Sequence, residues 1–201
     1  MARFNIGIND FVTKFSGGGA RPNLYMVTLN FPAGVSSQGD AIKNSYLCKA
    51  TSLPESSIGV AIVPFMGRQV KVAGDKEFPE WTVTMINDTD FSARSAFERW
   101  LNMINTHVAN TGVENPTQYY ADMQVDQLNR MGESIYTYEF KSCFPARVGE
   151  ITLGYENNNQ IEEFEVTFNV NYWISKSTDG DSGLSSGLIR GAAGRVLNTV
   201  A

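Results

Sequence analysis

The chain is poor in the residues that most catalytic chemistry requires. Its 201 residues hold one histidine, His107, and two cysteines, Cys48 and Cys143. A single histidine removes the material for most His-based catalytic and metal sites. Two cysteines build no disulfide framework, and both are expected to be buried or half-buried free thiols. Charge is also scarce, at 18% of residues against about 25% in an average soluble domain. No apolar run approaches ~20 residues, so no helix is expected to span a membrane. The first fifteen residues lack the uninterrupted apolar core of an export signal. Lys and Arg number 16 against 21 Asp and Glu, a net charge of −5. A dedicated nucleic-acid binder needs basic patches to displace counterions, so this balance argues against one. The Gly17-Gly18-Gly19 run follows no strand and lacks GxGxxG spacing, so it is no phosphate cradle.

What the chain does have is alternation. Tyr25, Val27, Leu29 and Phe31 share one face of a predicted strand over residues 23–31. Residues 45–51 and 58–64 read as short strands, and 69–72 as another before a turn at Ala73-Gly74-Asp75. Trp81, Val83 and Met85 share a face over 78–86. Two further strands, 119–128 and 133–143, flank a turn at Asn129-Arg130-Met131-Gly132, and a short one is expected over 150–155. The cleanest pattern closes the set: Phe164, Val166, Phe168, Val170 and Tyr172 point one way, with Glu165, Thr167, Asn169 and Asn171 opposite. That is the signature of a half-buried antiparallel strand.

One helix is expected, over residues 91–106. Ala93, Ala96, Phe97, Trp100, Leu101 and Ile104 form its apolar stripe, which reads as core packing. Asp90 is its expected N-cap, Arg94 and Glu98 a solvated i,i+4 pair, and His107 a solvated residue beyond its C-terminus. The reading is a mainly β protein: an antiparallel sandwich or barrel with one packed helix. Residues 1–19 form an N-terminal extension, 20–174 the β domain, and 175–201 a flexible linker and C-terminal extension. The linker is rich in Ser, Gly and Asp.

Acid is concentrated. Ten acidic residues and three bases lie between Glu114 and Glu165, a local excess of seven. No spacing there marks a hydrolytic carboxylate pair. Glu156 with Asn157-Asn158-Asn159 lacks a calcium-loop pattern. No Ser, Cys or Lys sits in a nucleophile motif. No catalytic, cofactor-binding or metal-binding residue is assigned, and the residues alone stop at an acidic, non-enzymatic β domain. A ligand-binding β-sandwich and a carboxylate hydrolase remain open at this level.

Several segments, in order across about 155 residues, carry a resemblance. They are Ala20-Arg21-Pro22-Asn23-Leu24; Cys48-Lys49-Ala50-Thr51-Ser52-Leu53-Pro54; Val63-Pro64-Phe65-Met66-Gly67-Arg68-Gln69-Val70-Lys71-Val72-Ala73-Gly74-Asp75; Trp81 through Asp88; Phe144-Pro145 with Val148-Gly149-Glu150; and Asn158-Asn159, Phe164-Glu165-Val166-Thr167 and Tyr172-Trp173. Together they resemble the tail tube proteins of contractile-tailed bacteriophages. The resemblance implies a β subunit with one helix, forming hexameric rings that stack into a tube inside a contractile sheath. Its partners would be further copies of itself, the sheath, and baseplate and tube-end proteins. Double-stranded DNA would pass through without specific binding, with no membrane contact. The location would be the virion tail, assembled in the host cytoplasm. A tube-initiating or terminating homologue, or a secretion-system tube of the same fold, fits the same resemblance.

Such a tube fits the composition. An acidic or neutral polar wall lets DNA slide, whereas a basic one would hold it; part of the excess acid is expected to face the lumen. Residues 65–80 are the expected ring-stacking contact: Phe65 and Met66, with Arg68, Lys71 and Lys76 balanced by Asp75, Glu77 and Glu80.

Overall fold

The computed structural model of the protein describes residues 7–15, 18–35 and 38–177. The expected N-terminal extension is thus described in part. The expected C-terminal extension lies outside the described residues from 178 onward.

The elements run α1 (Ile8–Lys14), β1 (Tyr25–Leu29), α2 (Gln38–Tyr46), β2 (Cys48–Thr51), β3 (Ser57–Phe65), β4 (Arg68–Glu77), β5 (Trp81–Ile86), α3 (Ser92–Ile104), α4 (Pro116–Tyr119), β6 (Ala121–Leu128), β7 (Ser134–Val148), β8 (Glu163–Asn169) and β9 (Tyr172–Ser177). Seven strands make one antiparallel sheet in the order β1-β6-β7-β8-β5-β2, with β9 also on β7. Among the described residues, β3 and β4 pair only with each other. The long strand β7 joins the two halves of the sheet. Its first part pairs with β6 and β9, and its last part with β8. Between these parts Ser142 adopts φ +55° and its N–H donates to the Asp122 carboxylate at 3.0 Å. The pairing with β6 shifts register there, so an extra residue bends the strand from one half toward the other.

Side chains from both halves meet in one core. Val27, Leu29, Met123, Val125 and Phe140 come from one half, and Trp81, Val83, Met85, Phe164, Val166 and Phe168 from the other. Trp81 stacks on Phe140 with ring centres 4.3 Å apart. The sheet is not closed. Between its terminal strands, the Tyr25 hydroxyl donates to the Lys49 carbonyl, a side-chain bridge in place of a backbone ladder.

Helix α3 covers the core with Ala93, Ala96, Phe97 and Trp100, all fully buried. Burying a large apolar side chain contributes about 1.5–3 kcal/mol. The Phe97 ring centre lies 5.9 Å from that of Phe168 and 6.4 Å from that of Phe164. The Trp100 indole N–H donates to the Tyr119 carbonyl at 2.8 Å. Leu101 is only half-buried and outside the core cluster, while Ile104 and Met103 pack against it. Arg94 and Glu98 pair at 2.8 Å.

Several expectations need correction. The helix is capped by Asp88, not Asp90. The Asp88 carboxylate accepts from the Ser92 N–H at 3.0 Å and from its hydroxyl at 2.8 Å, across Phe91 at φ +53°. Asp90 only approaches Lys43, at 3.5 Å. Residues 45 and 46, expected to open a strand, instead end α2 (Gln38–Tyr46), and the strand starts at Cys48. Residues 150–155 form no strand. The turn between β3 and β4 is Met66-Gly67, both at positive φ (44° and 79°), the conformation a two-residue hairpin turn demands. Ala73-Gly74-Asp75 instead lies within β4. The register of the β3–β4 pair shifts between Ile58 and Val60, and a Cβ on Gly74 would come within 3.1 Å of the Gly59 backbone. Finally, the pattern from Phe164 to Tyr172 is two strands. Phe164, Val166, Phe168 and Val170 are buried, but the chain bends after Val170 and Tyr172 is 46% exposed.

Candidate assembly interface

The β3–β4 hairpin is the unusual surface of the molecule. Every residue of both strands is exposed except half-buried Gly59. Yet the hairpin is apolar. Ala61, Val63 and Phe65 lie on one face with Val70 and Val72, by the pairing Ala61↔Val72, Val63↔Val70 and Phe65↔Arg68. The other face carries Val60, Ile62 and Pro64 beside Lys71 and Gln69. Phe65 is 61% and Met66 89% exposed. A lone two-stranded ribbon is marginal in water, and a contiguous exposed apolar patch marks a contact surface.

The expected stacking residues separate into two groups. Phe65, Met66, Arg68 and Lys71 lie at or near the tip. Asp75, Lys76 and Glu77 lie at the root, about 25 Å along the strand from Arg68 at ~3.3 Å per residue. Glu80 lies beyond the hairpin, next to Trp81. The expected balance of charge is therefore not local: the tip is basic and the root carries the acids. Lys76 is engaged at the root itself. Its ammonium lies 5.1 Å from the centre of the Phe78 ring and 5.4 Å from that of Trp173. The Trp173 indole N–H donates to the Glu55 carbonyl at 3.0 Å. These contacts tie both ends of the hairpin to β9. The sequence reading missed Ile58, Val60, Ile62, Val63, Val70 and Val72 as surface residues. The run Val60-Ala61-Ile62-Val63 carried the signal, because a strand with no polar face needs apolar neighbours on both sides.

The acidic segment is largely engaged. Lys141 bridges Asp122 at 2.8 Å and Glu139 at 3.3 Å, and Glu139 also pairs with Lys176. The hydrogen bond that Lys141 donates to Asp122 is the chief cause that raises the Lys141 pKa. Burial alone would raise Asp122, but the bonds from Lys141 and the Ser142 N–H outweigh it and hold the carboxyl below its ordinary value. Glu163 pairs with Lys49, and Glu162 accepts from the Asn87 amide. Unpaired acids remain in the loop between β7 and β8, where Glu150 and Glu156 are exposed.

Both cysteines are free, with Cys143 buried and Cys48 half-buried. Burial pushes both thiols up to about 12, which keeps them protonated and unreactive. Among the described residues, no group of three or more His, Cys, Asp or Glu is placed to hold a metal ion, and no helix is long and apolar enough to cross a membrane.

Comparison with known proteins agrees with this picture. The family model for phage tail tube proteins matches residues 20–176. The chain is 34% identical over 168 residues to the tail tube protein gp19 of Enterobacteria phage T4, covering 83% of this chain and 98% of that protein. It is 26% identical over 148 residues to the tail tube protein of Serratia phage KSP90, covering 73% and 84% respectively. In fold it is similar to a chain of the sheath–tube complex of the PVC extracellular contractile injection system, with a TM-score of 0.55, 14% identity, and 86% and 99% of the two chains covered. A chain from the anti-feeding prophage tube-terminating cap matches with a TM-score of 0.56 and 14% identity over 79% of this chain and 91% of that one. The chain belongs to the phage tail tube protein family, whose members are structural components of the virion tail.

Proposed function

We propose that this protein is the repeating subunit of a phage tail tube: hexameric rings, stacked inside a contractile sheath, that form the conduit for genome delivery. The observation that carries the proposal is the exposed apolar hairpin on an otherwise well-packed body. Such a surface suits a chain that buries area twice, once in folding and again in assembly. The open sheet supports ring formation. Its terminal strands β1 and β2 are not laddered to each other, and closing a sheet across subunits removes edges that would otherwise template aggregation.

In this reading Phe65, Met66, Arg68 and Lys71 form the contact to the next ring. Asp75, Lys76, Glu77 and Glu80 set the root from which the hairpin projects. Part of the acidic segment faces the lumen, so DNA passes without adhering. Sheath, baseplate and tube-end proteins would complete the assembly.

Negative-stain microscopy of the purified full chain tests this. Rings or tubes are expected. Monodisperse monomers at high concentration would overturn the proposal. A tube lumen lined by Lys and Arg would overturn the assignment of the acids.

A further inference from the structure

The two ends of the body differ, and the difference is complementary. β5 runs from Trp81 to Ile86, a span of roughly 17 Å. The hairpin leaves the body at the Trp81 end, where Glu77 and Phe78 precede the strand. At the Ile86 end lies a shallow depression walled by the loop of residues 150–162 together with Lys49 and Glu163. β2 links the same two regions: Cys48 pairs with Met85 near the depression, and Thr51 with Val83 on the way to the hairpin.

The chemistry of the two ends also matches. The outer part of the hairpin, residues 60–73, carries Arg68 and Lys71 and no acid. Residues 150–163 carry Glu150, Glu156, Glu162 and Glu163 and no base. Only Glu162 and Glu163 have side-chain partners on the body. Both ends are apolar as well as charged: Phe65 and Met66 are exposed at the tip, and Leu153, Tyr155 and Ile161 on the loop.

We infer that the loop of residues 150–163 is the receptor on which the hairpin tip of another copy of this chain docks. The basic tip and the acidic loop pair across the contact, and the exposed apolar residues of both ends are buried by it. Donor and receptor lie at opposite ends of the strands. The contact is therefore head-to-tail, and it propagates as a stack rather than closing as a two-fold dimer. This inference rests on the stacked-ring reading above and adds the receiving surface to it.

Charge exchange in the full-length chain tests it. One variant carries Arg68→Glu and Lys71→Glu, giving acid at both ends. A second carries Glu150→Lys and Glu156→Lys, giving base on the receptor. Each variant alone is expected to keep rings but lose tubes under the microscope, because like charges meet at every junction. Mixed in equal amounts, the two are expected to recover tubes in which the variants alternate, since each tip then meets a receptor of opposite sign. Tubes of wild-type length from the receptor variant alone would overturn the inference. So would intact rings of both variants that fail to stack when mixed. Wild-type protein that forms neither rings nor tubes would remove the stacked-ring reading and this inference with it.

Discussion

The body and the hairpin are made of the same residue types and put them to opposite uses. Val83, Val125 and Val166 are fully buried, while Val60, Val63 and Val72 remain about half exposed. Phe97 and Phe168 are sealed under α3, and Phe65 stands in solvent at the tip. In the body, the apolar residues alternate with polar ones, so one folded chain can satisfy them. In the hairpin, both faces are apolar, and nothing among the described residues covers them. Hydrophobic content therefore separates into a part that stabilises the subunit and a part that is free for a second chain.

That contrast can be broken most severely at Trp100. Trp100→Ala removes the largest buried side chain and its bond to Tyr119, and should cost about 3–5 kcal/mol in denaturant unfolding. A loss under 1 kcal/mol would mean that the core is not centred where the structure puts it. Asp88 holds α3 at its start. Removing a capping carboxylate costs about 0.5–2 kcal/mol, so Asp88→Ala should lower the unfolding midpoint measurably. This effect depends on pH. Burial alone would raise the Asp88 pKa, but the hydrogen bond from Lys43 and those from Ser92 hold it below its ordinary 3.8. A lowered folded value means that the stabilisation is complete at neutral pH and is lost as pH falls through the acid range. The gap between wild type and Asp88→Ala should therefore narrow below about pH 4.

A gain is expected at Asn44. It is fully buried in α2, and neither atom of its amide finds a hydrogen-bond partner. An apolar residue of similar size avoids that desolvation cost, and Asn44→Leu should raise stability by about 1 kcal/mol. Calorimetry would detect the shift, and a destabilised variant would show that the amide is satisfied in solution. The smallest effect belongs to the hairpin. Phe65→Ala should change the stability of the isolated subunit by less than about 0.5 kcal/mol, while shortening or abolishing tubes in microscopy. If Phe65→Ala unfolds the subunit, the division between body and hairpin is wrong.

Much of the body was legible from single-strand and single-helix periodicity. The stripe from Ala93 to Trp100 and the alternation over Trp81, Val83 and Met85 reflect burial on one face, which sequence spacing records directly. What escaped has a physical reason in each case. α2 is weakly amphipathic, and a polar residue, Asn44, is buried in it, so its sequence does not read as an apolar helical stripe. The Asp88 cap acts across Phe91 in a left-handed conformation, which spacing does not report. Gly74 looks like a turn glycine but serves a close approach to Gly59 within a bulged pair. Tyr172 continues an alternation that the chain interrupts by bending after Val170, because β8 and β9 follow a bent β7. The hairpin was legible as charged and exposed. Its apolar character was written in the sequence as well, but a strand hydrophobic on both sides reads equally as a buried one.

The bend of β7 at Ser142 carries a consequence for cooperativity. One fifteen-residue strand belongs to both halves of the sheet, so no cut along the chain yields two parts that fold independently. Loosening either half unravels the shared strand and exposes the other. The body should melt as one unit in a single transition, with coincident near- and far-ultraviolet signals. A subunit built this way is expected to populate no partly open form. It is expected to be either completely folded or not folded at all.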